Sequence, residues 1–284
     1  MLYLSTLQSK GKDSPLRCPI CGEKLALVDG RSLLCSGARR HCFDLSAKGH
    51  VNLAIGHSGS GDPKEAVRAR SEFLRRGHYA PFAEAVCRLL SEYIPENADT
   101  VIDAGCGEGY YTEKIAESCS VNTIGFDLSK AAVESASARA KREGRADLMY
   151  AVTGIFSMPI ADECADAVVN LFAPCAEEEF IRVLKKGGIL LVAGAGTDHL
   201  FGLKKRLYDL PRKNETRNDL PQKMKHLRHL TVKFDLSLSN EEDKQALFSM
   251  TPYYYRTSKE DAAKLQGEPL LTEVEFDIDV YEKE

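Results

Sequence analysis

No apolar run in this sequence approaches the roughly 18–20 residues that a membrane-spanning helix needs, which argues against a helical integral membrane protein. The opening stretch MLYLSTLQSKGKDS lacks the basic n-region and apolar h-region of a secretory leader, so a cytoplasmic setting is expected. No internal repeat is present, which argues against solenoids and propellers. Charge of one sign is also lacking: 38 Lys/Arg against 42 Asp/Glu give a net −4, and the total points to no polyanionic partner. Nor do the nine cysteines form a paired framework, because their number is odd and four fall between Arg17 and Asp44. Reduced thiols with a metal site fit that pattern better than disulfides do.

What is there begins with length. A chain of 284 residues can hold one catalytic domain of roughly 200 residues plus a small module. Its charge is unevenly distributed: residues 17 to 76 carry eleven Lys/Arg against six Asp/Glu, and residues 203 to 233 ten against three. Residues 235 to 284 reverse this, with five against thirteen. Two basic stretches offset by an acidic tail are the footprint of a nucleic-acid binder, though a solvated helical face explains any one run equally well.

The stretch RCPICGEKLALVDGRSLLCSGARRHCFD places Cys18-x2-Cys21, then Cys35, then His41 beside Cys42. Two knuckles joined by a short ribbon are the layout of a tetrahedral zinc site. A Gly/Ser/Pro-rich patch from Gly56 to Pro63 follows, and it divides the chain into residues 1–60, a small zinc-binding unit, and 61–284. Beyond it, helical spacing over PKEAVRARSEFLRRGHYAPFAEAVCRLLSEYI gives two helices joined at RGHY. Strands (TVIDAGCG, VNTIGFDLS, ADLMYAVT, ADAVVNLFAP, ILLVAGAG) then alternate with helices, one of them over EEEFIRVLKKGG, and two last strands, HLTVKFDLSL and LTEVEFDIDVY, flank a helix near Asn240. The expected fold class is α/β: a doubly wound, mostly parallel seven-stranded sheet preceded by a zinc ribbon.

The strongest chemical signal is VIDAGCGEGYYT followed by IGFDLS. Gly105, Gly107 and Gly109 after a strand allow a tight turn and close approach of backbone N–H groups to a ligand, and Asp127, twenty residues on, suits both hydroxyls of a ribose. A dinucleotide would need a glycine where Tyr110 stands, and its pyrophosphate would be repelled by Asp103 and Glu108. Those acids suit the ammonium and sulfonium of S-adenosylmethionine, so the expected fold is the class I S-adenosylmethionine-dependent methyltransferase. Asn170, Leu171, Phe172 and Pro174 end a strand beside the expected crevice, where Phe172 stacks on a planar substrate or simply fills core.

Taken together, CPIC…C…HCFD…KGHVNL, RRGHYAPF, DAGCGEGYYT, FDLSK, FAPC and HLFGLKKRLY resemble the RlmA family, the ribosomal RNA guanine-N1 methyltransferases that include the tylosin-resistance methylases. The resemblance runs from about Arg17 to Tyr281. It implies methylation of guanine N1 in a hairpin loop of 23S ribosomal RNA, with S-adenosylmethionine as donor and one structural zinc ion. By that resemblance Cys18, Cys21, Cys35 and His41 hold the zinc, and Tyr79, Gly107, Glu108 and His199 contact the cofactor. This chain has more residues between the third cysteine and the histidine than the family pattern, and Cys42 adjoins His41. Neighbouring side chains in extended backbone face opposite ways, so only one of them reaches the metal, with His41 preferred.

The RNA partner would be read by Arg17, Lys24, Arg31, Arg39 and Arg40 on the ribbon and by residues 203–233, and a homodimer would widen the RNA cleft. The target base, unstacked in a loop, would meet Phe172 and Tyr110 or Tyr111. No one residue stands out as the base that takes the N1 proton; Asp and Glu near the crevice and His199 are candidates. Two rivals remain at this stage: a small-molecule methyltransferase with a purely structural ribbon, and a non-catalytic zinc RNA-binding protein, which the intact DAGCGEG and Asp127 speak against.

Overall fold

The computed structural model describes residues 2–9, 11, 13–56, 63–215 and 218–284. It opens with helix α1 (Leu2–Ser9), then the strands β1 (Leu25–Val28), β2 (Ser32–Cys35) and β3 (Cys42–Asp44), and a two-residue strand β4 (Val51–Asn52). Helices α2 (Lys64–Arg75) and α3 (Ala80–Tyr93) lead into the alternating part: β5 (Thr100–Ala104), α4 (Tyr110–Cys119), β6 (Asn122–Asp127), α5 (Lys130–Arg142), β7 (Leu148–Val152), β8 (Ala165–Leu171), α6 (Glu177–Val183) and β9 (Leu184–Ala195). The remainder is α7 (Phe201–Leu207), β10 (Lys225–Leu238), α8 (Glu241–Ser249), α9 (Lys259–Ala263) and β11 (Leu270–Glu282). Among the described residues no helix is long and apolar enough to cross a membrane.

β1, β2 and β3 form an antiparallel ribbon, and the other strands form one sheet in the order β10-β11-β9-β8-β5-β6-β7-β4. Seven of its strands are those read from the alternation, and β4, from the KGHVNL stretch, adds a short eighth parallel to β7. All neighbours from β4 to β9 are parallel, whereas β11 runs antiparallel between β9 and β10. Every residue of β5, β7 and β8 is buried, as crossover helices on both faces of a parallel sheet require. Strand order reverses between β5 and β8, which opens a crevice at their carboxyl ends.

The ribbon is not set apart from the sheet. Leu16, Leu25 and Leu33 are at most 1% exposed and share one apolar cluster with Ile102, Ile124 and Val168 of the sheet. Each such burial contributes about 1.5–3 kcal/mol. The main chain joins in as well, because Arg17 N donates to Pro159 O (2.8 Å) and Ala161 N to Pro15 O (2.8 Å). The expected boundary near residue 60 lies outside the described residues, which break off at 56 and resume at 63. The helix expected over 177–188 stops at Val183, where Leu184 begins a strand and pairs with Ala165. Gly187 has φ +73°, and a Cβ on Gly188 would lie 2.8 Å from Lys185 O, so the Gly-Gly pair suits a sharp turn inside the strand rather than helix.

Candidate active site and metal centre

β5 delivers the chain into the glycine loop, which is tied to the neighbouring strand. Gly105 N and Cys106 N both donate to Phe126 O (2.8 and 3.0 Å), Gly107 N donates to Asp127 Oδ2 (2.9 Å), and Ser129 N donates to Asp127 Oδ1 (2.7 Å). The loop and the acid of β6 are therefore one rigid unit. Gly105 has φ +93° and sits where a Cβ would come within 2.7 Å of Ala173 Cβ, so only glycine fits. Asp103, at the end of β5, accepts a hydrogen bond from Thr112 Oγ1 at 2.6 Å.

A cleft of about 920 Å³ opens over this loop. Tyr79, Asp103, Gly105, Gly107, Glu108, Asp127 and His199 all line it, so residues spread over more than a hundred positions meet in one cavity. Gly109 does not line it: its φ is +81°, and its missing Cβ makes room for Tyr150 Oη (2.7 Å) and Ala136 Cβ (2.9 Å). Its role is to let the N-terminus of α4 pack on β7 and α5. Leu171, Phe172 and Pro174 line it as well, and Phe172 has φ +59° and is 47% exposed. Asn170 is fully buried and donates to Ala104 O (3.1 Å) and Pro174 O (3.3 Å), so it braces the wall without facing the cavity. Tyr111 lines the cleft, whereas Tyr110 is buried in the core beneath it.

Burial sets the charge states here. Asp103 is pushed up to about 7 by burial, opposed by the Thr112 hydroxyl and helped by Asp127 and Glu108. Glu108 is also raised by burial, and Arg70 opposes the shift. Burial lowers His199 to about 4, so its imidazole is neutral at pH 7. Glu275 N points at His199 Nδ1 (3.3 Å), which puts the ring proton on Nε2. His199 lies against Phe276 with ring centroids 4.5 Å apart and planes tilted by 39°, and meets Tyr79 edge-on at 6.4 Å. Asn214 Nδ2, donating to Gly196 O (2.9 Å) and His199 O (3.0 Å), holds this segment in place.

Several lining residues carried no sequence signal that separated them from their surroundings: Arg70 on α2, Asn214, Phe276, and Tyr253 and Tyr255 after α8. The aromatic run YYY at 253–255 was the one visible hint.

In the ribbon, the ligand atoms of Cys18, Cys21, Cys35 and His41 lie within 4.8 Å of one another. His41 Nδ1 is 3.4 Å from Cys18 Sγ and 3.5 Å from Cys21 Sγ, and Cys21 Sγ is 3.4 Å from Cys35 Sγ. Two sulfurs held at ~2.3 Å on a tetrahedral ion stand about 3.8 Å apart, so the spacing fits a metal of that kind. Gly37 N donates to Cys35 Sγ (3.2 Å), and a Cβ at Gly37 would crowd Cys35 Sγ and Cys21 Sγ at 3.3 and 3.4 Å. Cys42 faces away, exposed, with its thiol toward Asp44 Oδ1. None of the nine cysteines is in a disulfide.

The basic stretches differ in how their charge is used. Arg31, Arg39 and Arg40 are exposed on the ribbon, while Lys24 pairs with Asp13 and Arg17 Nη1 donates to backbone carbonyls of residues 14 to 16. Within 203–233, Arg206, Lys213, Lys223, Lys225, Arg228 and Lys233 each pair with an acid: Glu268, Asp198, Glu178, Glu282, Glu92 and Glu275.

Residues 95–254 match the family described as "Methyltransferase domain". A Bacillus subtilis (strain 168) protein, YxjB, provisionally named a 23S rRNA (guanine-N(1)-)-methyltransferase, is 31% identical over 94% of this chain and 96% of its own. The Streptomyces fradiae 23S rRNA (guanine(748)-N(1))-methyltransferase is 34% identical over 66% of each chain. Among solved structures, the YcgJ protein of Bacillus subtilis aligns with 70% of this chain and 98% of its own at 18% identity and a TM-score of 0.48. With a doubly wound sheet, a glycine loop paired to an acid, and a Cys3His ribbon, this chain belongs to the 23S rRNA (guanine-N1)-methyltransferase family.

Proposed function

We propose that this enzyme transfers a methyl group from S-adenosylmethionine to N1 of one guanine in a hairpin loop of 23S ribosomal RNA. The observation that carries the reading is one cleft whose lining combines the bare glycine loop and Asp127 with Phe172 and Tyr111. The first set suits a nucleoside with an amino-acid end, and the second suits a planar base.

S-adenosylmethionine supplies a sulfonium-activated methyl carbon, and the protein's task is to hold the acceptor nitrogen about 3–3.5 Å from it in line and to exclude water. Gly105 and Gly107 leave backbone exposed to the cofactor, and Asp127 accepts from the ribose hydroxyls with the lone pairs its two backbone donors leave. Asp103 and Glu108 face the cationic amino-acid end, with Tyr79 and His199 completing the pocket. His199, protonated on Nε2, donates a hydrogen bond there and is unsuited to take the N1 proton. A loop guanine leaves its stack cheaply, and the half-exposed Phe172 ring receives it.

Residues 1–60 act as the RNA-reading unit and 61–284 as the catalytic unit. Cys18, Cys21, Cys35 and His41 close a four-ligand zinc shell with no open position, a structural rather than catalytic site. Zinc then fixes the loop that presents Arg39 and Arg40 to phosphates. Nine cysteines, none of them in a disulfide, suit a reducing, cytoplasmic compartment. One observation favours a second reading, a small-molecule methyltransferase: six of the basic residues in 203–233 are neutralised by acids of the same chain. Methyl-labelled S-adenosylmethionine offered with unmodified 23S rRNA or with small planar metabolites separates the two. Label in RNA alone supports the proposal, and label only in metabolites refutes it.

A further inference from the structure

The cleft carries an imbalance of charge. Asp103, Glu108, Asp127, Glu215 and Asp219 put five carboxyl groups on its lining, Asp103 being half protonated near pH 7, while among the described lining residues Arg70 is the one cationic side chain. S-adenosylmethionine brings an ammonium and a sulfonium, which those acids suit, but it also brings an α-carboxylate, which they repel. We infer that Arg70 binds the α-carboxylate of S-adenosylmethionine and thereby selects ligands with a complete amino-acid end. This inference rests on the methyltransferase reading above and names a residue within its cofactor site.

The placement of Arg70 supports the assignment. Arg70 and Leu74, one helical turn apart on α2, both line the cleft, so this face of the helix looks into it. The other arginines of that helix and its cap pair with acids that do not line the cleft: Arg68 with Glu72 at 2.7 Å, Arg75 with Glu113 at 2.6 Å and Arg76 with Asp243 at 2.5 Å, whereas Arg70 lines it. Arg70 Nη1 is 3.9 Å from Glu108 Oε2, an ion-pair distance beyond direct hydrogen bonding. A Cβ built on Gly107 has Arg70 Nη1, at 3.9 Å, as its one neighbour. Whatever lies over Gly107 therefore lies against the guanidinium. Glu108 on the same loop is 4% exposed and Arg70 26%, so the two form a half-enclosed pair of opposite charges suited to an amino acid's ammonium and carboxylate. A guanidinium fork matches a carboxylate in a way that an ammonium cannot.

The test is calorimetric titration of the full chain with S-adenosylmethionine, S-adenosylhomocysteine and 5′-methylthioadenosine, the last of which has no amino-acid end. Loss of a charge-assisted hydrogen bond predicts that Arg70→Met weakens the first two by about 10- to 100-fold. Binding of 5′-methylthioadenosine stays at the wild-type value, which also reports that the cleft is intact. Arg70→Lys, keeping charge without the fork, gives a smaller loss for the same two ligands. Equal weakening of all three ligands, or no weakening of any, would overturn the assignment. Failure of the wild-type chain to bind any of the three would instead sink the methyltransferase reading itself.

Discussion

Alanine at Gly107 and at Gly109 should separate binding from folding, although the two glycines are two residues apart and both have positive φ. At Gly109 (φ +81°) a Cβ meets Tyr150 Oη at 2.7 Å, Ala136 Cβ at 2.9 Å and Tyr150 Cζ at 3.0 Å. Tyr150 cannot step aside, because it is 2% exposed and its ring also fills the space beside Gly125, whose Cβ would come within 2.7 Å of Cδ1. Left-handed backbone at a non-glycine costs about 1–2 kcal/mol. Overpacking adds about 1–3 kcal/mol, so Gly109→Ala should lose roughly 2–5 kcal/mol. At Gly107 (φ +53°) the added methyl meets only Arg70 Nη1 at 3.9 Å, so the steric part vanishes and a backbone cost of about 1–2 kcal/mol remains. Cofactor affinity should fall instead, because the methyl occupies the face the loop keeps bare. Urea unfolding, followed by circular dichroism, and calorimetric titration with S-adenosylhomocysteine measure the two effects. A Gly107→Ala protein destabilised as much as Gly109→Ala, or one that binds cofactor normally, would refute this division of labour.

Other consequences follow from the same geometry. Tyr150 Oη is buried without a hydrogen-bond partner among the described residues, so Tyr150→Phe should leave the unfolding free energy measured in urea unchanged or raise it by up to about 1 kcal/mol. Asp103 titrates at about 7 in the folded chain against 3.8 as its ordinary value, so its contribution to stability is fully present below about 4 and is lost as pH rises to about 7. His199, held at about 4, contributes in the opposite sense, its stability being present above 6.5 and lost as pH falls to about 4. The Asp103 slope is therefore read as the difference between wild type and Asp103→Asn, and identical pH profiles of their urea midpoints would contradict it. For the metal, His41→Ala should lose stoichiometric zinc by elemental analysis and Cys42→Ser should keep it. Replacing Arg31, Arg39 and Arg40 with alanine should flatten the salt dependence of RNA binding by about 2 in log K per log salt, at ~0.7 per contact, with cofactor affinity unchanged.

Much of the architecture was legible because alternation of strand and helix leaves a strong periodic signal, and a glycine loop with an acid on the next strand is a compact local pattern. What escaped was non-local or too short. β4 is two residues long, below any periodicity, yet it helps join the N-terminal segment to the sheet through Val51 and Asn52. The shared core of Leu16, Leu25 and Leu33 with β5 and β6 is invisible in a ribbon whose cysteines suggest a free-standing module. Tyr79 and His199 were named only through family resemblance, because a lone aromatic or histidine looks the same at a surface and in a pocket. Arg70 sits in RARSEFLRR, a run that reads as a solvated helical face, and three of its arginines do pair with acids outside the cleft. Only the fold separates the fourth from them.

The most direct measurement is primer extension on unmodified 23S rRNA incubated with the purified full chain and S-adenosylmethionine, since a methyl group on guanine N1 removes a Watson–Crick donor and halts reverse transcription. The account predicts one new stop, one nucleotide before a guanine in a hairpin loop, absent without cofactor and absent with Asp127→Ala. Full-length extension under all conditions, or stops that persist without S-adenosylmethionine, would contradict it.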